Sequence, residues 1–363
     1  RALAKTSYLE ALTMQYRNNL WLKICMIISL LLWAVPALAQ TETVPKSATY
    51  SVNHSLTIKD IPSGSKKLRI WFWLPDDDDA QKLLDLVVTN APADYKITRD
   101  PNYGHRYFYA EVSNPATTAS ITMDLLIRRN AVVMAVDAGK AGKLTDIHRK
   151  EFSEYLKTDV PNMEVSERIV KLANEVCGNE TNVVLQARRI FDYIVDNSEH
   201  YSKSEQAPKS SGKGSAEYCL NMKGGACTDQ HSLFIALARA RGIPTRLHFG
   251  SRLQVKNEGK AVDPGYRCWV QYFVPNYGWV SMDISGADTN PELRSFYFSG
   301  LDERRIKFME GRDLQLNPLQ DAGRVNLVIG AYVEVDGKPH SAFERLLKFN
   351  TVNPSEGQMS VNK

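Results

Sequence analysis

The sequence is short of most features that would name a function from composition alone. Its five cysteines are never three residues apart, so it offers no disulfide framework and no C-x-x-C redox or zinc pair. It has no H-E-x-x-H, and its histidines (54, 105, 148, 200, 231, 248 and 340) are scattered, so no metal or other cofactor is expected. It has little surplus charge. A formal +4, from 45 basic and 41 acidic residues, is too small and too dispersed to be a nucleic-acid footprint. It has no internal repeat, and its N-terminal apolar run, residues 24–35, is short for a membrane span.

What remains is ordinary globular material: 363 residues, 43% hydrophobic and 24% charged, enough for about two domains. Arg17 and Lys23 precede the apolar run, and Ala37-Leu38-Ala39 follow it. Residues 14–39 therefore read as a signal peptide cut after Ala39, with Pro36 and the short core favouring cleavage over an uncleaved anchor. Residues 1–13, ahead of Met14, read as an extension of the gene model. The expectation is an exported protein, periplasmic or secreted, that meets the membrane only transiently through its signal peptide. Removal of that peptide takes Cys25 with it and leaves Cys177, Cys219, Cys227 and Cys268.

Residues 46–136 carry a period of two: Leu68, Ile70, Phe72 and Leu74 alternate with Arg69, Trp71 and Trp73, and Tyr107, Tyr109 and residues 121–127 repeat the habit between Pro, Gly and Asn breakers. This predicts an all-β sandwich domain. From residue 137 the pattern turns helical. One helix runs from Ser166 to Gly178, and another is capped near Asn182, with Val184, Ala187, Phe191 and Ile194 on one face. Residues 202–216, rich in Ser, Lys and Gly, are expected to be exposed and mobile. A helix from Cys227 to Gly242 and strands near 245–253, 267–274 and 279–284 then predict an α+β core over residues 137–320. Residues 321–363 are left as a C-terminal strand and tail.

The chemistry concentrates in two places. Gly224-Gly225-Ala226-Cys227-Thr228-Asp229 sets a cysteine at a helix start, where unsatisfied N–H groups and the helix dipole favour a thiolate and can hold an oxyanion. Some 40 residues on, Tyr266-Arg267-Cys268-Trp269 is followed by Tyr277-Gly278-Trp279-Val280-Ser281-Met282-Asp283. These segments resemble the transglutaminase-like superfamily, in which a G-x-C segment at a helix start precedes a strand bearing H-x-W and a second bearing G-W-x-x-x-D. The resemblance implies a papain-like transglutaminase core, with a helix-borne cysteine packed on an antiparallel sheet, and a Cys-His-Asp triad. Position by position, Cys227 falls on the nucleophile, Asp283 on the residue that orients the base, and Arg267 on the base itself. Trp269, Gly278 and Trp279 fall on framework positions.

Arg267 is the departure. A guanidinium beside Cys227 would stabilise the thiolate and pair with Asp283, yet it cannot take and return a proton as histidine does. His231 and His248 are the candidates for approaching the thiol in its stead, each weighed against a structural role. Cys219 is weighed as a disulfide partner of Cys227, Cys268 is expected to point into the core, and Asp76 to Asp79 read as a solvated turn. Two readings stay open. One is a thiol enzyme acting on peptide or isopeptide amides through an acyl-cysteine intermediate, weakened by Arg267. The other is an inactive relative that binds peptides or cell-wall stems. A peptide or protein is the expected partner in both.

Overall fold

The computed structural model describes residues 46–326 and 330–352; the expected signal peptide and the segment ahead of it lie outside the described residues. The chain opens with six strands: β1 (Ser47–Ile58), β2 (Lys67–Trp73), β3 (Gln81–Asn90), β4 (Tyr95–Arg99), β5 (Arg106–Ser113) and β6 (Ala119–Asn130). After the short β7 (Val132–Val133) come α1 (Asp146–Glu151), α2 (Glu167–Cys177) and α3 (Val183–Asn197), then β8 (Glu199–His200), α4 (Ala216–Met222), β9 (Gly224–Gly225) and α5 (Cys227–Ala240). Strands β10 (Thr245–Arg252), β11 (Arg267–Val274) and β12 (Gly278–Met282) lead to α6 (Ile284–Thr289) and α7 (Arg294–Ser299). The chain closes with β13 (Gly300–Leu301), β14 (Arg305–Glu310), β15 (Ala331–Val335), β16 (Lys338–Pro339) and β17 (Phe343–Val352).

The all-β sandwich is present, and the far end of the chain helps build it. One sheet has the order β17-β1-β6-β3 and the other β16-β15-β2-β5-β4. The C-terminal segment thus supplies the edge partner of β1, from Thr49↔Val352 to Ile58↔Phe343, and the partner of β2. The alternation along β1 buries Tyr50, Val52, Leu56 and Ile58 against Ile121, Met123, Leu125 and Ile127 of β6. Strand β2 departs from it, being buried on both faces. Trp71 Nε1 donates to Pro318 O (3.2 Å) and Arg69 Nη2 to Leu319 O (2.7 Å), so the chain around 317–321 roofs the face that a solvated sandwich would expose. The Asp76 to Asp79 turn is likewise more engaged than expected. Asp76 pairs with Arg99 and Arg106, while Asp78 meets Arg129 and Lys307, the last on β14.

The second half is the α+β core. Sheet β12-β11-β10-β14 is antiparallel and packs against α5. Of the 14 residues of α5, thirteen are buried, because α2, α3 and α4 surround the faces the sheet leaves free. A helix buried all round needs no single apolar stripe, so polar Gln230, His231 and Ser232 lie inside: Gln230 Nε2 donates to Ser198 and Asp288, His231 meets Cys268 and Ile284, and Ser232 donates to Gly214 O, while Gln230 Oε1 has no partner among the described residues. The segment expected to be mobile before α4 is docked at its end: Ser211 and Ser215 bond to Asp229, and Gly214 O accepts from Arg312 Nη1 (2.6 Å).

Candidate active site

Cys227 is positioned by backbone packing that only glycine permits. β8 and β9 pair in parallel, Glu199 opposite Gly224 and His200 opposite Gly225. A Cβ on Gly224 would sit 2.3 Å from Glu199 O; one on Gly225, at φ +142°, would sit 2.5 Å from Asp229 Oδ2. The buried Asp229 carboxylate accepts from Ala226 N–H and Ser215 N–H (both 2.8 Å), locking the turn that delivers the chain into α5. The result is a cysteine at the first position of a long helix, where N–H groups lack intrahelical acceptors.

The surroundings favour thiolate. Cys227 is held well below the ordinary cysteine value, first by the neighbouring Cys268 thiol, then by His200 and by the electrostatic influence of His231 and Arg267; together these outweigh burial, which acts the other way. Burial raises Cys268 far above its ordinary value, and the neighbouring Cys227 raises it further, so Cys268 remains the proton donor of the pair. Strand geometry does carry Cys268 into the core, but against α5, which makes it the neighbour of Cys227. Cys219 is not: its thiol is pushed up to about 12, chiefly by burial, and engages Ser198 and Gly224.

Behind the thiols runs a buried file of partners. His231 Nδ1 lies 3.1 Å from Cys268 Sγ, and its Nε2 accepts from Ile284 N–H (3.0 Å), which puts the ring hydrogen on the side of Cys268. Asp283 Oδ1 is 3.5 Å from His231 Nε2. Asp283 also accepts from Ser285 Oγ (2.7 Å), Gly286 N–H (2.8 Å) and Arg305 Nη1 (2.7 Å). Burial pushes its carboxyl upward, but Arg305 and His231 prevail and hold it well below the usual carboxylate range. The expected pairing of Arg267 with Asp283 is therefore not made. Arg305, wholly buried and 5.7 Å from the Trp269 ring, is the guanidinium that Asp283 binds.

Arg267 instead stands at the mouth of the site. A cleft of about 280 Å³ is lined by Tyr201, Cys227, Arg252, Tyr266 and Arg267, and an adjoining one of about 180 Å³ by His200, Ser202, Arg252, Arg267 and Asp283. Arg252 and Arg267 are common to both walls. A groove of about 380 Å³ in the sandwich, among Thr57, Asn90, Val112 and Ser120, has no ionisable lining, and one of about 410 Å³ beside Lys143, Arg149 and Arg241 has cations but no nucleophile. Among the described residues, no three His, Cys, Asp or Glu side chains converge as metal ligands.

The other sequence candidates are distributed as follows. His231 does approach, through Cys268. His248 does not: its Nε2 lies 3.0 Å from Glu310 Oε2, and burial lowers it to about 4. Of two tyrosines that precede Cys227 in the chain, the Tyr201 ring packs at a tilt against His200 (4.6 Å between ring centroids), whereas Tyr218 turns away to bond Lys209 O. Trp279 packs with Arg246, Tyr155 and Phe152 away from the thiol. Three contributors escaped the sequence reading: His200, Cys268 in its role beside Cys227, and Arg305.

Comparison with known proteins bears on the fold. The signature of the transglutaminase-like superfamily matches residues 170–284, a span that contains Cys227, Arg267 and Asp283. A solved structure from Cytophaga hutchinsonii, provisionally assigned as a cysteine protease, superposes with a TM-score of 0.56 at 16% identity, covering 85% of this chain and 92% of that one. The chain thus has the transglutaminase-like, papain-related cysteine-enzyme fold, with a β-rich region ahead of its core. An uncharacterised protein of Haemophilus influenzae is 24% identical over 320 residues, 78% of this chain and 85% of its own length. The uncharacterised YebA of Bacillus subtilis is 24% identical over 156 residues, only 21% of that protein.

Proposed function

We propose that this chain is a thiol enzyme that attacks peptide or isopeptide amides with Cys227, forms an acyl-Cys227 intermediate, and passes the acyl group to water or to an amine. The observation that carries the reading is the state of Cys227: a thiol at the start of a long helix, on a cleft wall, with a buried thiol, two imidazoles and a guanidinium all favouring its anion. Helix N–H groups at that position suit the oxyanion of a tetrahedral intermediate. Arg267 supports the thiolate but cannot protonate the departing amine, so turnover of amides is weakened relative to a site with histidine there.

Export remains part of this proposal. It rests on residues 14–39 of the sequence; among the described residues, no helix is long and apolar enough to cross a membrane. Peptides of the cell wall are the substrates we would try first in that compartment. The test is to incubate wild-type protein and Cys227→Ala with activated acyl esters and with peptide amides, then search for an acyl adduct by mass spectrometry. An adduct on Cys227 that turns over supports the enzyme. The presence of arginine at 267 favours one competitor, a peptide binder, and that competitor predicts equal peptide affinity in wild type and Cys227→Ala with no adduct in either.

A further inference from the structure

We propose that His200 is the acid–base residue of this site, carrying from β8 the proton transfers that Arg267 cannot perform on β11. The assignment rests on the reading of Cys227 as the nucleophile and deepens it. The cysteine's remaining need is a group that exchanges a proton near neutral pH at the sulfur and at the leaving nitrogen. Arg267 stays charged, and Cys268 is fully buried with its donor role already taken. His231 is 0% exposed, and both of its ring nitrogens are occupied, by Ile284 N–H and by Cys268.

His200 meets each requirement. The pairing of His200 with Gly225 brings its ring beside the start of α5, where it favours the Cys227 thiolate, and the ring lines the cleft shared with Arg267 and Asp283. Its Nδ1 is 2.8 Å from Ser202 Oγ and 3.4 Å from Ser202 N, while its Nε2 is buried and makes no hydrogen bond among the described residues. Nε2 is therefore the nitrogen left for proton exchange. The ring is also held firmly. His200 N–H donates to Asp288 Oδ2 (2.6 Å), Tyr201 N–H donates to Gly225 O (2.8 Å), and the Tyr201 ring packs on the imidazole. The same pairing that places Cys227 thus places His200, because both depend on β8 lying against Gly224 and Gly225.

The proton path closes. The proton given up by Cys227 is held on Nε2, with Nδ1–H directed at Ser202 Oγ, while the thiolate sulfur bonds to the carbonyl carbon. When the carbon–nitrogen bond breaks, Nε2–H passes that proton to the departing amine. Water, or an acceptor amine, then attacks the thioester and gives its proton to Nε2; the carbon–sulfur bond breaks and Cys227 leaves as the thiolate, with the proton kept on Nε2. Ser202 is a positioning residue in this scheme. Being neutral where a papain-like triad has a carboxylate or amide, it stabilises the imidazolium less than a carboxylate would. The charged or titratable groups around the ring are Cys227 on α5, Arg252 on β10, Arg267 on β11, Asp283 and Asp288 at α6, and Lys203, whose Nζ binds Asp288 Oδ1 at 2.7 Å.

The test compares wild type, His200→Gln, Ser202→Ala and His231→Gln, using iodoacetamide for the thiolate and p-nitrophenyl acetate for turnover. His200→Gln is expected to cut Cys227 alkylation at pH 6 at least tenfold and steady-state p-nitrophenol release about 10²-fold or more, with Ser202→Ala between it and wild type. A second readout needs no variant. In ¹⁵N-histidine-labelled wild type, carbamidomethylation of Cys227 removes the thiolate partner, so the ring-nitrogen resonances of His200 are expected to move. Unchanged His200 resonances, or a His231→Gln that reproduces the losses while His200→Gln has none, overturn the assignment and leave the nucleophile standing. An inert Cys227 in wild type would sink the nucleophile and this assignment together.

Discussion

A guanidinium beside Cys227 favours the thiolate electrostatically but keeps its protons, whereas an imidazole at the same place would release one near neutrality. Arg267→His is therefore expected to raise amide turnover more than ester turnover, since only the amide's leaving group must be protonated. Equal gains on both substrates would contradict that division of labour. Gly225→Ala tests the backbone device beneath it: a Cβ 2.5 Å from Asp229 Oδ2, at φ +142°, forces the helix start to move. The expected outcome is loss of low-pH alkylation at Cys227 with the fold retained, checked by mass spectrometry and circular dichroism. At this scale the sequence showed Cys227, Arg267 and Asp283 because they sit in contiguous motifs with fixed spacing. It concealed His200 because that residue reaches the thiol from 27 positions away by a two-residue strand pairing that leaves no periodic trace.

Among the elements, α5, α6 and β14 converge on one buried charge pair. Asp283 caps α6 while Arg305 reaches it from β14. Removing one member of a buried pair leaves the other uncompensated, typically at about 3–5 kcal/mol. Arg305→Met is accordingly expected to lower the unfolding free energy measured in urea by that order and also to displace His231, which shares Asp283. A stability change under 1 kcal/mol would mean that Asp283 finds another cation. Arg252 and Arg267, which share a cleft wall with Asp283, are the candidates. The helix and hairpin carrying Cys227 and Asp283 were legible from capping, breakers and alternation. The role of Arg305 was not, because a basic-acidic stretch reads as a solvated face until a neighbouring strand buries it.

Over the whole molecule, the sandwich and the core are tied by charged and aromatic contacts as well as by chain connection. Lys307 of β14 meets Asp78 of the first sheet's turn, and the His54 ring lies 5.3 Å from Phe308. Burial lowers His54 to about 3 and His248 to about 4. A histidine depressed in the folded state stabilises the fold fully above its ordinary value near 6.5, and that stability drains away as pH falls toward the folded value. Thermal stability is expected to be flat from pH 8 to 7, then to drop between pH 6.5 and 4 with uptake of protons by both residues. His54→Phe should blunt the drop, and calorimetry across that range would show it. The sandwich itself was foreseen from its alternation. Its completion by β15 and β17 was not, since pairing between residues some 300 positions apart leaves no local signal.

The most direct test of the account is the pH dependence of Cys227 alkylation by iodoacetamide in the purified wild-type protein, read by peptide mass spectrometry with the buried Cys177, Cys219 and Cys268 as internal controls. The account predicts that Cys227 alone reacts, with an inflection well below the free-cysteine value of about 8.5. A rate at Cys227 that rises only above pH 8, or is no faster than at the other three cysteines, would contradict an activated nucleophile and leave the fold without its chemistry.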